Sequence, residues 1–239
     1  QMCIRDRPSA GRGLSAARVL PIHNDQSILR IAAPYVTWGT ILLCVIVQVW
    51  LHGQTPRGEA IASYTFGFIP ATFLSELPRS DEIDLMPTWS TLVTYQYLHA
   101  GVGHLLGNMV ALFVFGGLVE DRFGHPRYAV LYLVSGMVAG LAHWLAFPES
   151  QVVLVGASGA VAGVSGAFLI LFPKARITLL GPLFIPLRLR AWVVILVWLL
   201  VQVYMVSLGG DSNVAWLAHI AGFAVGAAAG AAVRFTEPV

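Results

Sequence analysis

The stretch GASGAVAG, Gly156 to Gly163, opens a long apolar run of the chain and consists of small residues with one early serine, Ser158. Membrane-spanning helices approach one another closely where glycine, alanine and serine line their faces. The stretch therefore predicts a membrane helix that packs tightly against a neighbour. It also places a serine hydroxyl at one end of that contact, which raises the question of a chemical partner.

The composition of the whole chain is that of a membrane protein. Of its 239 residues, 57% are hydrophobic and 11% are charged, whereas soluble domains carry about 25% charged residues. The net charge of +2 is too small to indicate a nucleic-acid partner. The two cysteines, Cys3 and Cys44, provide no disulfide framework.

Six apolar runs approach the length that a bilayer requires. A spanning helix needs about 20 predominantly apolar residues. The runs occupy 34–52, 98–119, 127–147, 157–172, 190–208 and 213–234. The chain is therefore predicted to be all-α, a polytopic membrane bundle of six transmembrane helices.

The rest of the chain divides into two tails and one long loop. Residues 1–33 are basic and rich in turn formers, which predicts a flexible cytoplasmic N-terminal tail before the six-span core, 34–235. Residues 236–239 form a short cytoplasmic C-terminal tail. Several prolines interrupt the segment 53–97, which predicts a long first loop with short amphipathic helices at the outer interface.

The distribution of Lys and Arg predicts the orientation of the spans. Basic residues accumulate on the cytoplasmic side of a membrane protein. Of the 14 Lys and Arg residues, only Arg57 and Arg79 fall on the side of the first loop, and the others share the opposite side. Both termini are therefore predicted to be cytoplasmic, and spans two, four and six run from the outer to the inner face.

This orientation places four polar residues at one depth. His104 and Asn108 lie near the start of span two, Ser158 at the start of span four and His219 near the start of span six. At 1.5 Å per helical residue, all four are predicted within about 15 Å of the outer surface. The depth that they share makes a common site possible.

The glycine pattern predicts that Ser158 and His219 meet. Gly222 and Gly226 follow His219 along one helix face, and Gly159 follows Ser158. Packing these smooth faces against each other would bring Ser158 Oγ within hydrogen-bond reach of the imidazole. A histidine acting as general base makes the weak serine hydroxyl nucleophilic.

Other hydrolytic sites are excluded by what the spans lack. No Asp or Glu lies inside any predicted span, so neither a Ser-His-Asp triad nor paired intramembrane aspartates fit, and the His-Glu-x-x-His zinc motif is absent. A serine acyl-transfer site also needs hydrogen-bond donors for an oxyanion. His104 and Asn108 share a helix face at i, i+4, and the Ser158 backbone N–H is a third candidate.

These motifs together resemble those of the rhomboid intramembrane serine proteases, over about residues 35–235. They occur in the order of that family and on the matching spans. The shared motifs are HxxxN (His104, Asn108), Gly-x-Ser-Gly (Gly156, Ser158, Gly159), Ala-His-x-x-Gly-x-x-x-Gly (Ala218, His219, Gly222, Gly226), LHAGVGH with His99, and EDRFG (Glu120 to Gly124).

The resemblance implies an endopeptidase of the bacterial six-transmembrane type that needs no metal or cofactor. Ser158 would be the nucleophile, His219 the base, and His104, Asn108 and the Ser158 amide the oxyanion donors. The implied substrates are transmembrane proteins, cut in or near their membrane segments close to the outer face of a prokaryotic inner membrane. Many members carry an aromatic residue four positions after the serine, stacked on the histidine, whereas this chain has Ala162.

Two alternatives from other functional classes remain open. The first is a catalytically silent rhomboid-like protein that binds transmembrane helices as a chaperone or sorting factor. The second is a small transporter, which would need polar or broken helices at the bilayer midplane. The presence of both Ser158 and His219 favours the protease over the first alternative, and the sequence shows neither clear polar or broken midplane helices nor a clear repeat between halves for the second.

Overall fold

The structure is a computed structural model that describes residue 28 and residues 30–74, 80–180, 186–208 and 215–236. Most of the two predicted tails lies outside the described residues. Within them the chain is predominantly helical, which confirms the predicted fold class. The helices are α1 (Tyr35–His52), α2 (Pro56–Phe66), α3 (Thr91–Thr94), α4 (Val102–Phe123), α5 (His125–Ala146), α6 (Ser158–Leu171), α7 (Ala191–Ser207) and α8 (Trp216–Thr236).

Four of these helices, α1, α4, α5 and α8, are long and apolar enough to cross a membrane. Two shorter apolar helices, α6 and α7, have 14 and 17 residues. All six coincide within a few residues with the predicted spans. By length and composition, these four described helices are candidate spans, and the count of six stays a prediction.

The central helix of the bundle is α6, which is buried on nearly all sides. It packs closely against α8 because glycines face backbone across the contact. A Cβ added at Gly222 would overlap the carbonyl oxygen of Gly159, and one added at Gly226 would overlap that of Gly163. On its other side, Gly163 abuts Ser135 of α5. Small residues therefore allow the helix that begins at Ser158 to occupy the middle of the bundle.

The end of α4 holds the beginning of α1 through a buried carboxylate. Glu120 is 0% exposed. It accepts hydrogen bonds from the backbone N–H groups of Val36 and Thr37 at 2.9 and 2.8 Å and from Thr37 Oγ1 at 2.7 Å. His125 Nδ1 lies 2.5 Å from the same carboxylate. Because the first N–H groups of a helix have no intrahelical acceptor, Glu120 caps α1 from a neighbouring helix.

Asp121 extends this brace to the chain before α1. Its Oδ1 accepts from the backbone N–H groups of Arg30 and Ile31 at 2.6 and 2.9 Å. The last residues of the predicted flexible tail are therefore tied to the core. Glu120 to Phe123 also continue α4 by one turn beyond the predicted end of the span, and this turn is buried.

Removing the Glu120 brace is expected to destabilise the fold. Glu120→Ala leaves several buried donors without an acceptor, and we expect the free energy of unfolding to fall by about 3 kcal/mol. Thermal unfolding of the purified protein in detergent measures this loss. Glu59→Ala, at an exposed position of α2, is the matched control and should change little. Equal stability of the two variants would contradict a structural role for Glu120.

One element was not predicted. Strands β1 (Arg176–Leu180) and β2 (Pro186–Arg190) form an antiparallel hairpin between α6 and α7, in the register Ile177 with Leu189. Ile177 is buried at 1% exposure against the bundle, whereas Arg188 is exposed. The alternation of apolar and polar residues in these short segments is typical of a half-buried strand.

Candidate active site

The turn before Ser158 is held by the first loop. The backbone groups of Phe68 and Leu154 pair in both directions at 3.0 and 2.8 Å. Gly156 N donates to Tyr95 O at 2.9 Å, and Tyr95 Oη donates to Gly136 O of α5 at 2.7 Å. Residues of the predicted interfacial loop therefore hold the turn before α6 in place through hydrogen bonds.

Glycine is required at position 156 for two reasons. Its φ of +133° lies in a region that side-chain-bearing residues rarely adopt. A Cβ there would also press into the ring of His104, 2.6 Å from Cε1. The turn therefore brings backbone directly against the His104 imidazole, two residues before Ser158.

The structure brings Ser158 and His219 into contact. Ser158 is the first residue of α6, and His219 lies in the first turn of α8. The distance from Ser158 Oγ to His219 Nε2 is 2.8 Å, and His219 is 9% exposed. The close backbone approach between Gly222, one turn after His219, and Gly159, the residue after Ser158, sets this distance.

The second nitrogen of His219 also has a partner. Gln202 Oε1 of α7 lies 2.7 Å from His219 Nδ1. Two aromatic rings surround the imidazole: the centroid of the Trp198 ring is 5.9 Å from it at an interplanar angle of 34°, and that of Trp216 is 6.1 Å away, edge-on. Sequence reasoning identified none of these three residues. The signal that the sequence offered for them was Gln202, an amide side chain in an otherwise apolar stretch.

The HxxxN pair lies on the same side of the turn as Gly156. Asn108 is 7% exposed, and its Nδ2 donates to the backbone oxygen of His104 at 3.1 Å. The His104 Nδ1 accepts from the Ala100 backbone N–H at 3.4 Å. The structure thus places His104 beside the turn that leads into Ser158, with Asn108 one helical turn further along α4.

His99 supports the residue before the serine. The Ala157 backbone N–H donates to His99 Nε2 at 3.5 Å, and the His99 ring is 5.2 Å from that of His104. Burial, with a smaller contribution from His104, lowers the pKa of His99 to about 4. A neutral His99 can accept the Ala157 hydrogen bond, whereas a protonated His99 cannot.

His99 is expected to make the fold sensitive to acid. Because its pKa is lower in the folded than in the unfolded chain, the unfolded state binds the proton first. The stabilisation present above about pH 6.5 is therefore lost as the pH falls towards 4. Glutamine keeps a hydrogen-bond acceptor but has no titrating ring. Between pH 7 and 4.5, we therefore expect the free energy of unfolding of His99→Gln to fall by about 2 kcal/mol less than that of wild type.

Thermal unfolding in detergent at the two pH values measures this difference. His52→Gln replaces an exposed histidine and serves as the control, with a pH dependence equal to that of wild type. If wild type and His99→Gln lost the same stability on acidification, the buried neutral His99 would be ruled out as the cause.

The assembled groups fit the chemistry of acyl transfer. A serine hydroxyl hydrogen-bonded to an imidazole is the arrangement of a nucleophile with its general base. The Ser158 backbone N–H belongs to the first turn of α6, where N–H groups have no intrahelical acceptor and can stabilise an anion. His104 provides another polar group beside the same turn.

The comparisons with known proteins agree on one family. The family model of the Rhomboid domain matches residues 87–235, a range that holds every motif residue of the site. Rhomboid-like protein 11, chloroplastic, of Arabidopsis thaliana is 42% identical over 78 residues, which is 33% of this chain and 28% of that protein. RHOMBOID-like protein 4 of the same plant is 36% identical over 140 residues, 56% of this chain and 32% of that protein.

A bacterial protein is also similar to the chain. It is a protein of Bacillus subtilis (strain 168) that is named, provisionally, a rhomboid protease, and it is 37% identical over 81 residues. This match covers 34% of the present chain and 40% of the relative. The chain therefore spans less than half the length of each of these three relatives.

Proposed function

This chain belongs to the rhomboid family, and we propose that it is an intramembrane serine endopeptidase. The observation that carries the proposal is the 2.8 Å contact between Ser158 Oγ and His219 Nε2. A serine used only for packing in a membrane helix has no need of a buried imidazole at this distance. The provisional name of the Bacillus relative is consistent with the proposal.

The proposed reaction follows from the positions of the polar groups. Ser158 Oγ attacks the carbonyl carbon of the scissile peptide bond while His219 Nε2 takes the hydroxyl proton. The tetrahedral oxyanion accepts hydrogen bonds from the Ser158 N–H and from His104 and Asn108. The imidazolium of His219 returns the proton to the leaving amine, and water then hydrolyses the acyl-enzyme by the same route.

The proposed substrates are membrane proteins with a helix that unwinds at the cleavage site. A helical peptide bond has its carbonyl hydrogen-bonded within the helix, so the helix must open before the serine can attack. Ser158, His219 and His104 all lie in the first turn of their helices. Cleavage is therefore proposed at one face of the bilayer rather than at its midplane.

The proposed location is a prokaryotic inner membrane, with both termini cytoplasmic and the site at the outer face. The excess of Lys and Arg on the side opposite the first loop supports this orientation. By the same argument, the hairpin β1–β2, with Arg176, Arg188 and Arg190, is proposed to lie on the cytoplasmic side.

Reconstitution in liposomes tests the proposed function. Purified wild type is mixed with a panel of reporter proteins, each with one transmembrane segment, and the products are identified by mass spectrometry. Cleavage in or near the transmembrane segment is expected. Reporters that stay intact but co-purify with the protein would overturn the proposed protease activity and support the silent helix-binding alternative.

A further inference from the structure

We propose that Gln202 is a positioning residue of this site, which holds the proton of His219 on Nδ1 and leaves Nε2 free to accept the proton of Ser158. The inference rests on the proposed function and adds a third member, from α7, to the pair. Its basis is a continuous chain of hydrogen bonds from the Trp198 backbone through Gln202 and His219 to Ser158.

The orientation of the Gln202 amide is determined by its two partners. Its Nε2 donates to the Trp198 backbone oxygen at 3.2 Å, one turn earlier in α7. The opposite orientation would place the amide oxygen against that carbonyl oxygen, two acceptors facing each other. Oε1 therefore faces His219.

The amide orientation in turn determines the histidine tautomer. An amide oxygen only accepts hydrogen bonds, so at 2.7 Å the facing His219 Nδ1 must carry a proton. Neutral imidazole has a single N–H, which leaves a lone pair on Nε2. That lone pair faces Ser158 Oγ at 2.8 Å, as a general base requires. In the other tautomer Nε2–H would point at the serine and could not take its proton.

Gln202 is a buried polar side chain on a helix that is otherwise largely apolar and exposed. It is 3% exposed, although much of α7 around it is exposed at the bundle surface, as at Val201 and Val203. Burying an amide in apolar surroundings is costly unless it is hydrogen-bonded. The bonds to Trp198 and His219 offset this cost and hold the side chain in one orientation.

The same face of α7 supplies an aromatic neighbour for the imidazole. Trp198 lies four residues before Gln202, so both side chains share a helix face, and the Trp198 ring is tilted over His219. Ala162, four residues after Ser158, is buried at 1% exposure and is too small for this task. In this chain the imidazole is thus oriented by α7, from Trp198 and Gln202.

Two variants of Gln202 separate positioning from packing. Gln202→Leu removes the acceptor at similar size, and kcat is expected to fall about 10²-fold with KM little changed. Gln202→Glu keeps an acceptor at the same position and should retain most of the rate. It should also move the acid limb of the kcat–pH profile to higher pH, since a carboxylate favours the imidazolium. Val203→Leu, at an exposed position of α7, is the control.

The tautomer itself can be observed without a substrate. In protein labelled with ¹⁵N-histidine, the wild-type His219 is expected to show a protonated Nδ1 and an unprotonated Nε2, and Gln202→Leu a mixture of the two tautomers. His219→Gln assigns the signal. A wild-type protein that cleaves reporters but carries the His219 proton on Nε2 would overturn the role of Gln202, as would an unchanged kcat in folded Gln202→Leu. Absence of cleavage by wild type would contradict only the proposed protease activity, because the tautomer measurement still tests the role of Gln202 at His219.

Discussion

Replacing Ser158 by alanine is expected to lower the rate of reporter cleavage about 10⁴-fold or more, because the reaction loses its nucleophile while the fold is kept. The substitution removes one oxygen from the first turn of α6 and leaves the glycine contacts with α8 unchanged. The rate is measured in liposomes, with thermal unfolding as the check that the variant is folded.

The His219→Ala variant should show a loss of similar size, and the double variant no further loss. Residues that act as one catalytic unit are not additive, because either change alone already removes the unit. Ser165→Ala is the matched control: Ser165 lies two turns further along α6, and its hydroxyl donates to the Val161 backbone oxygen at 2.8 Å. This variant should retain the wild-type rate.

Losses that multiply in the double variant would show that Ser158 and His219 act independently. Cleavage that persists in Ser158→Ala would show that another group attacks the peptide bond. Either result would contradict the proposed dyad.

Leucine in place of Gly226 is expected to be the most damaging change away from the reacting atoms. A Cβ at this position overlaps the Gly163 carbonyl oxygen, and rigid helix backbone cannot yield as a flexible side chain would. Helix α8 must move away from α6, at a cost of about 3 kcal/mol or more. Because His219 lies two turns earlier on the same helix, the displacement also breaks its contact with Ser158.

Thermal unfolding and cleavage are measured together for this variant. The control is Gly39→Ala in α1, where an added Cβ meets nothing within 4 Å and alanine is the better helix former. It should be at least as stable as wild type. A Gly226→Leu protein with wild-type stability and activity would mean that α6 and α8 do not pack as described.

Much of this architecture was predictable because membrane helices follow a simple rule. An apolar run of sufficient length forms a helix, so the predicted run 157–172 corresponds to α6, Ser158–Leu171. The approach of Ser158 and His219 was also predictable, since glycines at helical spacing mark the faces that meet. The first inference uses local sequence alone, and the second adds only the orientation that the Lys and Arg distribution predicts.

The role of α7 could not be predicted in the same way. Apart from Gln202 its sequence is apolar on nearly all sides, so hydropathy hardly distinguishes the face that meets α8 from the opposite face. The importance of Gln202 and Trp198 becomes clear only when the rotation of α7 about its own axis is known. The support of Gly156 by Tyr95 was missed because it joins positions more than 60 residues apart through backbone atoms.

The sharpest test of the Ser158–His219 dyad is mass spectrometry of the folded protein after reaction with an active-site-directed fluorophosphonate. Ser158 Oγ would attack phosphorus and displace fluoride while His219 takes the proton. The expected result is a single adduct on the peptide containing Ser158, retained in Ser165→Ala and lost in His219→Ala. An adduct on a different residue, or an unmodified Ser158 in a preparation that cleaves reporters, would contradict the dyad.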